Sequence, residues 1–152
     1  MTGGRIKRIA PYIDEDQFMV TYGDGLSDVD LHGLLSFHQN HSGSITITSV
    51  QPKGRFGVLN LDDNSKLEGF IEKPEKGGSW ISAGYMVMDR SIIECIGGDQ
   101  TELESDILLP FSEQGRLFAY QHHGFWQPMD TVWEKNKLEK LFQSNEAPWV
   151  RW

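Results

Sequence analysis

The feature that most constrains the fold is a change of hydrophobic period between residues 17 and 43. "QFMVTYGDG" opens on the apolar run Phe18-Met19-Val20 and ends with an acid between two glycines, Gly23-Asp24-Gly25. Directly after it, Leu31, Leu34, Leu35 and His38 recur at helical spacing, with Asp28 or Asp30 placed to cap the first turn. The pattern predicts a buried strand, a tight turn and a helix in succession, with Gly43 as the helix stop. A strand and a helix joined so closely must cover each other's apolar faces, which points to an α/β architecture.

The rest of the chain continues the alternation. "SITITSV" is β-branched and alternating, hence a strand, and "GVLNLD" and "KLEGFIEKP" form a hairpin around the turn "DDNS". "WISAGYMVMD" and "RLFAYQHHGFW" read as further strands. "RSIIECI" and "ESDILLPFSEQG" read as helices, the second interrupted by Pro110. Thr131 and Glu134 make a capping box that starts a helix with Leu138, Leu141 and Phe142 on one face. The expectation is one α/β domain over 1–152, with a mixed sheet and an inserted β-hairpin.

Charge narrows the partners. Fourteen basic against twenty-two acidic residues give a net charge of -8, and no basic cluster follows a phosphate backbone, so duplex nucleic acid is excluded as the expected partner. An acidic chain still binds a nucleotide where one cation or metal supplies the charge. The single cysteine, Cys95, has no partner for an internal disulfide and is expected to be buried as a small apolar residue. No signal peptide and no apolar run of membrane length occurs, so a cytoplasmic protein is expected. The five tryptophans, Trp149 and Trp152 among them, are expected in the core or at a homo-oligomer interface.

Several segments carry candidate chemistry. Ligands of open α/β sheets sit beyond the carboxyl ends of the strands, where the strand assignment places Asp24. Gly23 and Gly25 leave room for a phosphate, and a carboxylate there suits Mg²⁺; a plain turn is the other reading. Asp130, in "WQPMDT", lies at a strand-to-helix junction and would converge on the same metal or merely help start the helix. Glu72 and Lys73, in "FIEKP", pair an acceptor for sugar hydroxyls with a point charge for phosphate. "GGR", Gly3 to Arg5, offers backbone N–H groups and a guanidinium, or is a flexible terminus. His122 and His123 have no metal-site spacing and read as structural or surface residues.

In order, "TGGRIKRI", "YGDG", "GRFG", "EKP", "GFWQPMDT" and "APWVRW" resemble the sugar-nucleotide pyrophosphorylases, and within them the glucose-1-phosphate cytidylyltransferase branch. The resemblance implies a partial Rossmann-like nucleotidyltransferase fold. It also implies transfer of a cytidylyl group from CTP to α-D-glucose 1-phosphate, giving CDP-glucose and pyrophosphate. Asp24 and Asp130 would hold Mg²⁺; with Lys73 they would be the catalytic residues. Arg5 and Gly23 would contact the nucleotide, and Glu72, Lys73, Ser82 and Gly84 the sugar phosphate. The family's glycine-rich G-x-G-T-R loop does not occur in the chain, so residues 1–152 are expected to be the C-terminal portion of the domain, with impaired or no turnover. A non-catalytic ligand-binding or oligomerisation module, or a pyrophosphorylase for another sugar phosphate, is the alternative.

Overall fold

A computed structural model describes residues 1–52, 54, 56–72 and 78–150. In chain order the elements are α1 (Thr2–Ile9), β1 (Gln17–Thr21), β2 (Gly25–Ser27), α2 (Leu31–Gln39), β3 (Ile45–Val50), β4 (Val58–Leu61) and β5 (Leu67–Ile71). Then follow β6 (Ile81–Asp89), α3 (Ile92–Cys95), a π turn over Glu104–Leu108 that runs into α4 (Leu109–Glu113), β7 (Leu117–Gln121), β8 (Trp126–Pro128) and α5 (Val132–Gln143). The main sheet has the order β1-β6-β3-β7, with β6 antiparallel to both neighbours and β3 parallel to β7. It is the mixed sheet the alternation predicts. The hairpin β4–β5 is inserted between β3 and β6, as a separate two-stranded sheet.

Strand alternation sorts the side chains into two layers. Ile45, Met86 and Met88 face one side, where Ile6, Ile92, Ile93, Ile96, Leu103, Ile107 and Phe111 complete the core. Each such burial contributes roughly 1.5–3 kcal/mol of transfer free energy. Thr46 faces the other side and meets α2 through His38. Asp30 is the N-cap of α2, accepting from His32 N–H at 3.1 Å. The predicted capping box opens α5: Glu134 N–H donates to Thr131 Oγ1 (3.2 Å) and Thr131 N–H to Glu134 Oε2 (3.0 Å).

Several expectations are corrected. β1 is an edge strand and only half-buried, with Met19 44% exposed, because α2 packs over β3, β6 and β7 instead. "GGR" is neither a loose terminus nor a loop: it lies in α1, whose Gly3 and Gly4 are buried against the backbone of Thr101 and Asp99. A Cβ on Gly4 would stand 2.6 Å from Asp99 Cα. Pro110 does not interrupt its helix. The preceding π turn widens the coil, and Leu109 N–H reaches Glu104 O. Cys95 is exposed, since Ile92, Ile93 and Ile96 take the inward face of a single helical turn. Gly43 is not the cap, a position held by Asn40; a Cβ there would come within 2.7 Å of Phe118 Cε2. On α5, Leu138 is buried but Phe142 is 57% exposed.

Candidate active site

The strands β1, β3 and β7 run in one direction and end at one edge of the sheet, the place where open α/β sheets bind ligands. Tyr22, the first residue after β1, anchors the turn that follows. Its N–H donates to Gly84 O at 3.1 Å, and its ring covers Gly84. Gly84 has φ +80°, and a Cβ would stand 3.0 Å from Tyr22 Cδ2, so both backbone and packing demand glycine. The Tyr22 hydroxyl donates to Glu104, whose other carboxylate oxygen accepts from Thr2 Oγ1 at 3.3 Å. Burial first, and the Glu104 carboxylate second, keep the Tyr22 phenol protonated far above its ordinary range.

The two acids are joined through the short ladder β2–β8. Gly25 faces Pro128 and Ser27 faces Trp126, and the ladder is extended by Met129 N–H donating to Asp24 O at 2.7 Å. Asp24 and Asp130 therefore leave the same end of one ladder, and both are exposed. The ladder is tied to β6 by Tyr85 Oη donating to Gly25 O and Trp126 Nε1 donating to Ala83 O, each 2.9 Å. A Cβ on Gly23 would meet no atom within 4 Å, so that side of the turn is open. Among the described residues no group of three or more His, Cys, Asp and Glu side chains is arranged to hold a metal. Two exposed carboxylates fit a hard cation that draws its other oxygens from water and substrate phosphates, and Mg²⁺ is usually bound so.

The other sequence candidates fall unevenly around this edge. Gly84 lies under Tyr22, and Ser82 is exposed two residues earlier, its Oγ accepting from Gly84 N–H at 3.3 Å. Arg5 is exposed on α1. Its N–H donates to Met1 O and that of Gly4 to Thr101 O, so these two N–H groups of "GGR" are already used within the chain. Glu72 is exposed at the foot of the hairpin beside Gly57, on a different sheet from the ladder. Lys73 and Arg55 lie outside the described residues.

Two contributors were not foreseen from sequence. Glu104 holds Tyr22, and His122 binds Asp28 through Nε2 at 2.9 Å. The strand expected over "RLFAYQHHGFW" ends at Gln121, so the two histidines lie in the loop beyond β7, where His122 turns to Asp28 and His123 meets Trp80 edge-on. No local signal predicts either partner.

Residues 3–131 match the Nucleotidyl transferase family. The glucose-1-phosphate cytidylyltransferases of Salmonella typhi and Salmonella typhimurium are each 42% identical over all of this chain, which spans 59% of their length. The mannose-1-phosphate guanylyltransferase catalytic subunit beta of Drosophila melanogaster is 32% identical over 76% of this chain and 33% of its own. Among solved structures, HddC from Yersinia pseudotuberculosis superposes with a TM-score of 0.68 at 24% identity, covering 93% of this chain and 62% of that one, which speaks for the fold. With its mixed α/β sheet and a family match over most of its length, the chain belongs to the nucleotidyl transferase family.

Proposed function

We propose that the chain carries the metal- and sugar-side half of a glucose-1-phosphate cytidylyltransferase site, acting on CTP and α-D-glucose 1-phosphate. The observation that supports this most is the β2–β8 ladder, which brings Asp24 and Asp130 to one end across a long sequence separation. In this reading a phosphate oxygen of the sugar attacks the α-phosphorus of CTP in line. The new P–O bond replaces the bond to the β-phosphate, and pyrophosphate leaves. Asp24 and Asp130 would hold a divalent cation, which supplies charge neutralisation for the triphosphate. Gly23 leaves space for the nucleotide, Arg5 offers its guanidinium to it, and Ser82, Gly84, Glu72 and Lys73 would receive the sugar phosphate. Positioning two polyanions against each other is the main catalytic task. The 152 residues contain no G-x-G-T-R run, so low or no turnover is expected of this chain by itself.

Isothermal titration with Mg²⁺, CTP and glucose 1-phosphate tests the reading. Cation-dependent CTP binding should weaken about tenfold or more in Asp24→Asn and in Asp130→Asn. Binding equal to the parent chain in both variants removes the metal assignment. A folded chain that responds to none of the three ligands supports a binding or oligomerisation module instead.

A further inference from the structure

We infer that Tyr22 and Glu104 are positioning residues whose side chains hold the Asp24 turn where it can take a divalent cation, a role that rests on the proposed assignment of that cation to Asp24 and Asp130. The turn is fixed on both sides. After it, Asp24 O accepts from Met129 N–H at 2.7 Å, which sets its register against Asp130. Before it, Tyr22 N–H donates to Gly84 O at 3.1 Å, and the Tyr22 ring packs on Gly84. Gly23 alone stands between these anchors, and a Cβ on it would meet nothing within 4 Å among the described residues. Glycine has the widest backbone freedom of any residue, so the aim of the Asp24 carboxylate is only as well defined as the anchors beside it.

The free end of the Tyr22 ring is held by Glu104, and the surroundings of Glu104 are built for that contact. Its two carboxylate oxygens accept separately, Oε1 from the Tyr22 hydroxyl and Oε2 from Thr2 Oγ1 at 3.3 Å. Thr2 Oγ1 accepts in turn from Leu103 N–H at 3.1 Å, which ties the residue before Glu104 to the same side chain. Glu104 also begins the π turn that ends at Leu108. A π turn takes up one residue more than an α turn, so what precedes it is rotated by about 100° against the helix that follows. Ile107, Leu108 and Phe111 thus stay in the core while Glu104 is exposed and meets Tyr22. Through Thr2 the bridge reaches α1, which carries Arg5.

Titration of Mn²⁺ into the 152-residue chain, with free Mn²⁺ read by electron paramagnetic resonance, tests this. Tyr22→Phe and Glu104→Ala should each weaken binding about fivefold, the worth of one hydrogen bond. Tyr22→Phe/Glu104→Ala should bind no more weakly than either single variant, because both act through one bond. Glu104→Gln keeps an acceptor for the phenol and should stay within about twofold of the parent chain. Thermal unfolding of the same samples shows that each is folded during the titration. Stability lost with Mn²⁺ affinity unchanged would make the bridge merely structural and overturn the inference; if Asp24→Asn still weakens binding, the cation assignment stands without it. Glu104→Gln binding as weakly as Glu104→Ala would also overturn it, since the charge of Glu104 would then matter and not its bond to Tyr22. A parent chain whose Mn²⁺ binding does not depend on Asp24 overturns the assignment and the inference together.

Discussion

His41 shows how far one residue's surroundings decide its chemistry. Gly43 N–H donates to His41 Nδ1 at 3.0 Å, so the neutral ring carries its proton on Nε2 and gives it to Thr46 Oγ1 at 2.7 Å. The Thr46 hydroxyl is then free to donate to His38 Nδ1 at 2.8 Å, and His38 Nε2–H reaches Asp89 Oδ1 at 3.2 Å. Every donor in this chain has an acceptor while both rings are neutral; a proton on His41 Nδ1 would face the Gly43 N–H. Burial first, and the neighbouring His38 second, hold the His41 pKa below its ordinary 6.5, against an opposing pull from Asp89. A group depressed in the folded state contributes stability that is present above the unfolded value and lost as pH falls through the folded one. The stability gap between the parent chain and His41→Gln should therefore shrink between about pH 7.5 and about pH 5 in thermal unfolding. A gap constant across that range would show that the ring is only packing on Phe118, whose ring it stacks at 4.0 Å. In the sequence His38 is legible as one position of a helical face. Its partners are not, because Thr46 and Asp89 arrive from β3 and β6.

At the scale of elements, local chemistry was the readable part. The Thr131/Glu134 box needs only residues three apart, and the β4–β5 hairpin only two alternating runs and a turn, so both could be read directly. What neighbours decide was hidden. The edge position of β1 depends on which strand joins the sheet where, and the exposure of Cys95 on three isoleucines claiming the core. The cap matters beyond its helix, since Asp130 immediately precedes Thr131. Thr131→Ala should cost about 1 kcal/mol in urea unfolding, the usual value of a lost N-cap. Thr131→Ala/Glu134→Ala should cost less than the sum of the single changes, because each residue satisfies the other's backbone N–H. Strict additivity would mean the two bonds act independently.

The whole molecule joins its two acid-bearing segments far from the acids themselves. His122 N–H donates to Ser49 O at 2.9 Å, fixing the end of β7 against β3. Its Nε2 then reaches Asp28 Oδ1 at 2.9 Å and Phe125 O at 3.2 Å. Ser27 Oγ (2.8 Å) and Asp28 N–H (3.1 Å) donate to the same Phe125 carbonyl. The loop after β2 and the loop before β8 are thus one hydrogen-bonded unit, and the Asp24 to Asp130 register follows from it. Gly124 makes the approach possible, because a Cβ there would press on Asp28 Oδ1 and lie 2.7 Å from His122 Cε1. Gly124→Ala should then destabilise the fold by about 1–3 kcal/mol, the range for losing a part-buried hydrogen bond to a charged group. Asp28→Ala should remove much of that penalty, so that the double variant is clearly less destabilised than the sum. If the register is what places the two acids, Gly124→Ala should also weaken divalent-cation binding even though it alters no carboxylate. Additive costs in the cycle would reduce Gly124 to a local turn residue. A stability loss with cation binding intact would separate the two loops' union from the geometry of Asp24 and Asp130.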